Sequence, residues 1–179
     1  MLTCVKKKVM EKTMRTARFS FAVVTLSDKG SLGLREDTSG PYLIDCLKKE
    51  GYQLADYEIM ADKHDGIVAK LLELVESGVD LIVTTGGTGP APTDVTPEAT
   101  REVIERETPG ISEAMRAASL LKTPHAMLSR GCSGIRGTSL IINLPGSLKA
   151  ARENIEVVLP ALPHALDKIN GGTSDCGTA

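Results

Sequence analysis

The sequence predicts a three-layer α/β/α sandwich built on a mostly parallel central sheet. Three observations carry that prediction. Apolar, β-branched runs alternate along the chain with segments of helical periodicity, the order that a parallel sheet requires. One run, "DLIVTT" (80–85), is continuously apolar and bounded by turn residues, as a strand covered on both faces should be. Finally, 179 residues with 41% hydrophobic content fill one core of ordinary size and rarely two.

Each element follows in order. "FSFAVVTLS" (19–27) reads as a buried strand. "TSGPYLIDCLKKEGY" reads as a helix with Thr38 and Ser39 as caps, Pro41 in its first turn, and Lys48, Lys49 and Gly51 as its stop signal. A second strand is expected from Leu54 to Met60. In the helix after it, Val68, Leu71, Leu72 and Val75 recur at i, i+3, i+4 and i+7 until Gly78 ends the pattern. "DLIVTT" comes next, followed by a Gly- and Pro-rich bend. Thr96 then caps a helix with Pro97 at its first position and Glu98 set against the N-terminal dipole, running to about Glu107.

Pro109 and Gly110 break that helix, and another covers Ile111 to Lys122. "HAMLSR" (125–130) and "SLIINLP" (139–145) read as two strands separated by "GCSGIRGT", paired as a hairpin or as a mixed part of the sheet. The final helix puts Leu148, Ala151, Ile155, Val158 and Leu159 on one face before Pro160 and Pro163 interrupt it. One domain is expected over residues 18–170, with flexible tails over 1–17 and 171–179.

Composition narrows the function classes. Lys plus Arg number 21 against 23 Asp plus Glu, so no basic field draws in nucleic acid or a membrane surface. Trp is absent and aromatic residues are 3%, which leaves few platforms for stacking single strands. No segment approaches the length of a membrane span or a secretory core. Cys4, Cys46, Cys132 and Cys176 are dispersed and form no zinc-ligand cluster with histidine, which suits reduced thiols in the cytoplasm.

In an α/β sheet, ligands sit outside the carboxyl ends of the strands. Four loops leave strands in that direction: residues 27–40, residues 60–66, the bend "GGTGPAPTDV", and "LPGS" (144–147). The tandem Gly86 and Gly87, then Thr88 and Gly89, allow a backbone approach that a Cβ would block, and Thr88 adds a hydroxyl for a phosphate oxygen. Neither a dinucleotide fingerprint nor a Walker loop is present. Two readings stay open, a tight strand-to-helix turn and a phosphate cradle. Asp94, just before the next helix, either caps it or offers a carboxylate to magnesium. Asp62 is a loop acid or a second carboxylate across the cleft, and Ser27 with Asp28 are turn formers or ligand contacts.

"TLSDKGSLG" with "EDTSG", "IVTTGGTGPAPTDVTPEAT", "LSRGCSGIRGTSLIINLPGSLKAARE" and "LPALPHALDKI", in that order, resemble the molybdopterin adenylyltransferases of molybdenum-cofactor synthesis, also seen as the G domain of gephyrin. The resemblance covers about residues 19–169. It implies attack of the terminal molybdopterin phosphate on the α-phosphate of MgATP, giving adenylylated molybdopterin and pyrophosphate. It places the family's two acids on Asp62 and Asp94, for Mg2+ and ATP positioning rather than proton abstraction. Nucleotide and pterin contacts map to Thr85, Gly86, Gly87, Thr88 and Gly89, and to Ser129, Asn143, Pro145, Gly146 and Ser147. For Asn143 and Ser129 the lesser alternative is an ordinary strand-end hydrogen bonder. Arg130, Arg136 and Lys149 are candidate phosphate partners or solvated charges. The resemblance also implies a homotrimer or a hexamer and a downstream molybdate-insertion enzyme. Retention of both acids favours the enzyme over a non-catalytic molybdopterin-binding or scaffold paralogue.

Overall fold

The structure, a computed structural model, describes residues 19–173. The expected tail over 1–17 and most of that over 171–179, with Cys4 and Cys176, lie outside the described residues. Strand β1 (Ser20–Leu26) leads through a short helix α1 (Asp28–Ser31) to α2 (Ser39–Lys49), β2 (Gln53–Met60), α3 (His64–Glu76) and β3 (Leu81–Thr85). Then come α4 (Thr96–Val103), the two-residue β4 (Arg106–Glu107), α5 (Pro109–Leu120) and a 3-10 helix (Pro124–Leu128). Strands β5 (Ser133–Arg136) and β6 (Ser139–Leu144) precede α6 (Leu148–Val158) and α7 (Leu162–Ile169).

The six strands lie in the order β2-β1-β3-β6-β5-β4. The first four are parallel, whereas β5 runs antiparallel to β6 and β4 antiparallel to β5. Alternate residues of each central strand feed opposite faces, so two cores form. Phe21, Val23, Leu81, Val83, Leu140 and Ile142 pack under α2, α5, α6 and α7. Ala22, Val24, Ile82 and Ile141 pack under α3 and α4. The three-layer expectation is met, and "DLIVTT" is buried throughout β3 as a centrally placed strand must be.

Local expectations deviate where a tertiary partner wins. The buried stripe of α3 is Ile67, Lys70, Leu71 and Leu74 rather than the face centred on Val68. Lys70 is tolerated there because its Nζ reaches Asp56 and Glu58 on β2 at 2.7 and 3.0 Å and Glu73 at 3.0 Å. Helix α4 stops at Val103, and residues expected to continue it form β4 instead. Its N-cap is Val95, and the Thr96 hydroxyl is buried without a partner, so Thr96 does not cap it. Leu148 is 40% exposed, outside the apolar face of α6 assigned to it.

"HAMLSR" is the clearest correction. It is not a strand: Pro124 opens a 3-10 turn whose cap, the Thr123 hydroxyl, accepts from the His125 amide. The strand that pairs with β6 is the "SGIR" of the expected separator. A Cβ at Gly134 would lie 2.6 Å from Ile104 Cδ1 and 2.8 Å from Arg106 O, so the close approach of β4 requires glycine there.

Candidate active site

The carboxyl ends of β1, β2, β3 and β6 share one edge, with Thr25 beside Thr85, Thr85 beside Leu144, and Leu26 beside Met60. The chain passes from β1 outward to β2 and returns to β3 on the other side of β1. That reversal opens a crevice, and the four loops named from the sequence surround it. A cavity of about 660 Å³ opens there, its far wall made by α5, the 3-10 helix and the start of α6.

The loop after β3 is shaped by two left-handed glycines, Gly86 at φ +108° and Gly87 at φ +60°. The Gly86 amide is spent on Leu144 O at 3.1 Å. The amides of Gly87, Thr88 and Gly89 donate to nothing among the described residues, and all three residues line the cavity. Consecutive free amides in a glycine turn are the geometry that binds anions. The neighbouring loops are latched in series: Thr85 Oγ1, at the end of β3, donates to Pro145 O at 2.8 Å, and Ser39 Oγ, at the start of α2, donates to Gly146 O at 2.9 Å. Gly146 packs so closely on Gly86 that a Cβ would sit 3.1 Å from its Cα.

Asp62 and Asp94 both line the cavity. Asp62 exchanges hydrogen bonds with Asp28: its Oδ2 accepts from the Asp28 amide at 3.2 Å, and its own amide donates to Asp28 Oδ1 at 3.1 Å. Its other oxygen, Oδ1, is buried with no partner. Burial raises the Asp62 pKa most; the Asp28 amide opposes that, and the Asp28 and Asp94 charges reinforce it. Asp94 does not cap α4. Its Oδ2 accepts from the Ala91 amide at 2.9 Å and lies against Gly89, whose Cβ would come within 2.8 Å of it.

No group of three or more His, Cys, Asp or Glu among the described residues is placed to hold a metal. A pair of aspartates is nevertheless what magnesium usually takes from a protein when phosphates and water complete its shell. No helix among the described residues is long and apolar enough to cross a membrane.

A family model described as a probable molybdopterin binding domain matches residues 22–164. The chain belongs to that family. A relative from Helicobacter pylori strain J99 named molybdopterin adenylyltransferase is 47% identical over 152 residues, 83% of this chain and 86% of that protein. Gephyrin from Dictyostelium discoideum is 45% identical over 158 residues, but this chain spans 22% of its length. Among solved structures, the molybdopterin biosynthesis enzyme MoaB of Thermus thermophilus matches with a TM-score of 0.81 at 50% identity, covering 86% of this chain and 97% of that one.

Within this molybdopterin-binding domain, Ser27, Thr85 to Gly89, Ser129, Asn143, Pro145, Gly146 and Ser147 all border the cavity, whereas Asp28 and Arg130 do not. Several of them serve the scaffold with their side chains. Ser27 Oγ accepts from the Gly30 amide and Ser147 Oγ from the Ala150 amide, each capping a helix. Asn143 is 2% exposed; its amide nitrogen donates to Thr84 and Thr100 hydroxyls while its oxygen accepts from the Cys132 amide. Its side chain is therefore spent inside the fold. Arg136 donates to Val103 O and pairs with Glu105 away from the cavity, and Lys149 is exposed outside it. The Arg130 guanidinium donates from each of its three nitrogens to a protein oxygen, Gly89 O, Asp94 O and the Glu98 carboxylate.

Sequence reasoning missed Arg35 and Arg116 on the cavity wall, and Asp37. Asp37 Oδ1 accepts from the Ser39 and Gly40 amides at 2.9 and 3.0 Å, and Oδ2 accepts from the Thr25 and Tyr57 hydroxyls at 2.5 and 2.8 Å. This acid, not Thr38 or Ser39, stabilises the start of α2, and it ties that start to β1 and β2. Burial opposes its charge, but the hydrogen bonds from Thr25, Gly40, Tyr57 and Ser39 outweigh it and hold the carboxyl below its ordinary value. Burial, then the bond to Asp37, pushes the Tyr57 phenol up to about 12. Asp37→Ala should cost about 1–3 kcal/mol in urea unfolding at neutral pH, because donors lose their acceptor while water repairs part of the loss. The native contribution is present above the ordinary aspartate pKa and fades as pH falls through the depressed one, so the variant's stability should fall less steeply in acid.

Proposed function

We propose that this chain transfers the AMP moiety of ATP to the terminal phosphate of molybdopterin, giving adenylylated molybdopterin and pyrophosphate in molybdenum-cofactor synthesis. One observation carries the proposal. Asp62, whose Oδ1 is buried without a partner against Gly87, lines a cavity that Gly87, Thr88 and Gly89, with their amides unclaimed, also line. A carboxylate oxygen kept from water calls for a cation, and free amides in a glycine turn call for an anion. A metal-bound polyphosphate answers both. Relatives named molybdopterin adenylyltransferase, from Helicobacter pylori and Escherichia coli among others, agree with the reading.

In the transfer, an oxygen of the molybdopterin phosphate attacks the α-phosphorus of ATP. The bond from that phosphorus to its bridging oxygen breaks, and pyrophosphate leaves with the electron pair. The nucleophile is already an anion, so no residue has to take a proton. The chain supplies alignment of two anions that repel each other. Amides of residues 87–89 hold phosphate oxygens, and the Arg35 and Arg116 guanidiniums add positive charge at the cavity wall. Magnesium suits the residues present: Asp62 and Asp94 would hold it, and when bound it neutralises charge on the α-phosphate and the leaving group.

Purified protein given molybdopterin, ATP and magnesium should release pyrophosphate, and release should stop in excess chelator. Molybdopterin binding with no pyrophosphate would leave a non-catalytic binding or scaffold protein. ATP hydrolysis in the absence of the pterin would leave a nucleotide hydrolase. The same proposal includes a homotrimer or hexamer, a cytoplasmic location and a molybdate-insertion enzyme that consumes the product.

A further inference from the structure

We propose that Arg130 is a positioning residue that fixes the Asp94 carboxylate, and not a phosphate ligand. This inference rests on the role given above to Asp94. Arg130 leaves the 3-10 helix region and grips the loop after β3 at several points. Its amide donates to Thr88 O at 2.9 Å, and its Nε donates to Gly89 O at 2.8 Å. Its Nη2 donates to Asp94 O, and its Nη1 pairs with Glu98.

Three of the five guanidinium N–H donors, one on each nitrogen, are thereby committed to protein oxygens, and the residue stands outside the cavity lining. One side chain closes the two ends of a glycine- and proline-rich loop onto each other. Glu98 sets the height of that clamp, because its helix α4 is anchored in the core by Ala99 and Val103, 0% and 1% exposed. Burial works against the Glu98 charge, but the bonds from Arg130 and from its own amide, with the Arg130 and Arg101 charges, together outweigh it and hold the carboxyl below the ordinary value. The loop itself carries Pro90 and Pro92, which cannot donate backbone bonds to hold its shape. Within the loop, Asp94 is held by its pairing with Ala91, whose amide reaches Asp94 Oδ2 and whose carbonyl accepts from the Asp94 amide at 2.9 Å. The Thr96 amide, donating to Gly87 O at 3.2 Å, closes the base of the loop, so the clamp acts on the Ala91–Asp94 turn beyond that point.

The two roles differ in what they require of Glu98. A phosphate ligand is released by losing Glu98, whereas a clamp is broken. The test compares Arg130→Gln, Arg130→Lys, Glu98→Gln and the double variant Arg130→Gln/Glu98→Gln, each followed by pyrophosphate release, Kd for MgATP by calorimetry, melting temperature and hydrogen exchange at the Asp94 amide. Arg130→Gln should lower kcat/KM by about a hundredfold, the scale of a catalytic group misplaced by about an ångström. Glu98→Gln should lower it by roughly tenfold, the double variant should be no worse than Arg130→Gln, and Arg130→Lys should recover part of the loss. Exchange at Asp94 should quicken in the weakened variants while melting temperature stays near the parent's.

Unchanged or tighter MgATP binding in Glu98→Gln would overturn the clamp in favour of a direct phosphate contact. A fall in melting temperature with kcat/KM intact in the folded fraction would overturn it in favour of a merely structural link. Full turnover in Asp94→Ala would overturn the reading of the site itself, and the clamp with it.

Discussion

Asp62→Asn is expected to raise the melting temperature by a few degrees and to lower pyrophosphate release by roughly a thousandfold. The two effects share one cause. Burial first, and then the neighbouring Asp28 and Asp94 charges, raise the Asp62 pKa in the folded chain, opposed by the Asp28 amide. A carboxyl whose folded pKa is raised stabilises the fold below its unfolded pKa and loses that contribution as pH climbs through the folded one. At neutral pH the ionised group is thus a cost, and an amide of the same shape removes it. The partnerless position remains, but a neutral amide group is less costly to leave unpaired there than a charged oxygen. In the proposed transfer Asp62 holds magnesium in its ionised form. The acid limb of kcat/KM should therefore lie above the ordinary aspartate range in the parent. Calorimetric melting of both proteins from pH 4 to 8 checks the stability half: their curves should converge in acid and separate near neutrality.

Gly86→Ala should cost on the order of 4 kcal/mol and abolish activity in whatever fraction folds. At φ +108° the backbone is outside what an L side chain adopts, and the new Cβ would sit 2.2 Å from Leu26 O. Leu26 O belongs to the end of β1 and cannot swing away as a side chain would. Gly146 packs on the other side of Gly86, so the strain passes into the loop after β6. Urea unfolding measures it, and a midpoint equal to the parent's would remove the case for a strained turn. Gly33, also left-handed but with nothing within 4 Å of its Cβ position, serves as the control: Ala there should cost only the backbone strain.

How much of this is legible in the sequence depends on how local the cause is. The strand "DLIVTT" and the glycine turn after it can be read directly, because burial on both faces and left-handed backbone are imposed on consecutive residues. The 3-10 helix over Pro124–Leu128 cannot, because "HAMLSR" carries strand-like composition and only the Thr123 cap and Pro124 decide against it. Strand β5 is hidden for the opposite reason. Ser133 and Gly134 look like turn residues, yet Gly134 is there to let β4 approach. Asp37 reads as an ordinary loop acid since its deciding partners, Thr25 and Tyr57, come from strands distant in sequence. Arg130 shows the same limit at the site: a cation near a polyanion suggests phosphate, while its real acceptors are the main-chain oxygens of Gly89 and Asp94 and the Glu98 carboxylate.

Asp62 and Asp94 can be picked out because their positions after β2 and β3 follow from sheet topology, and the cavity joins them as that topology requires. Resemblance assigns Asn143 to the ligand, whereas its side chain is consumed by Thr84, Thr100 and Cys132.

The seat of the phosphates is open to one direct measurement, a crystal structure with magnesium and an ATP analogue carrying a methylene bridge between its α- and β-phosphorus. The α-phosphate oxygens should lie within hydrogen-bond distance of the Gly87, Thr88 and Gly89 amides, with the cation on Asp62 and Asp94. A nucleotide bound elsewhere, with those amides and Asp62 Oδ1 still facing no ligand, would contradict it.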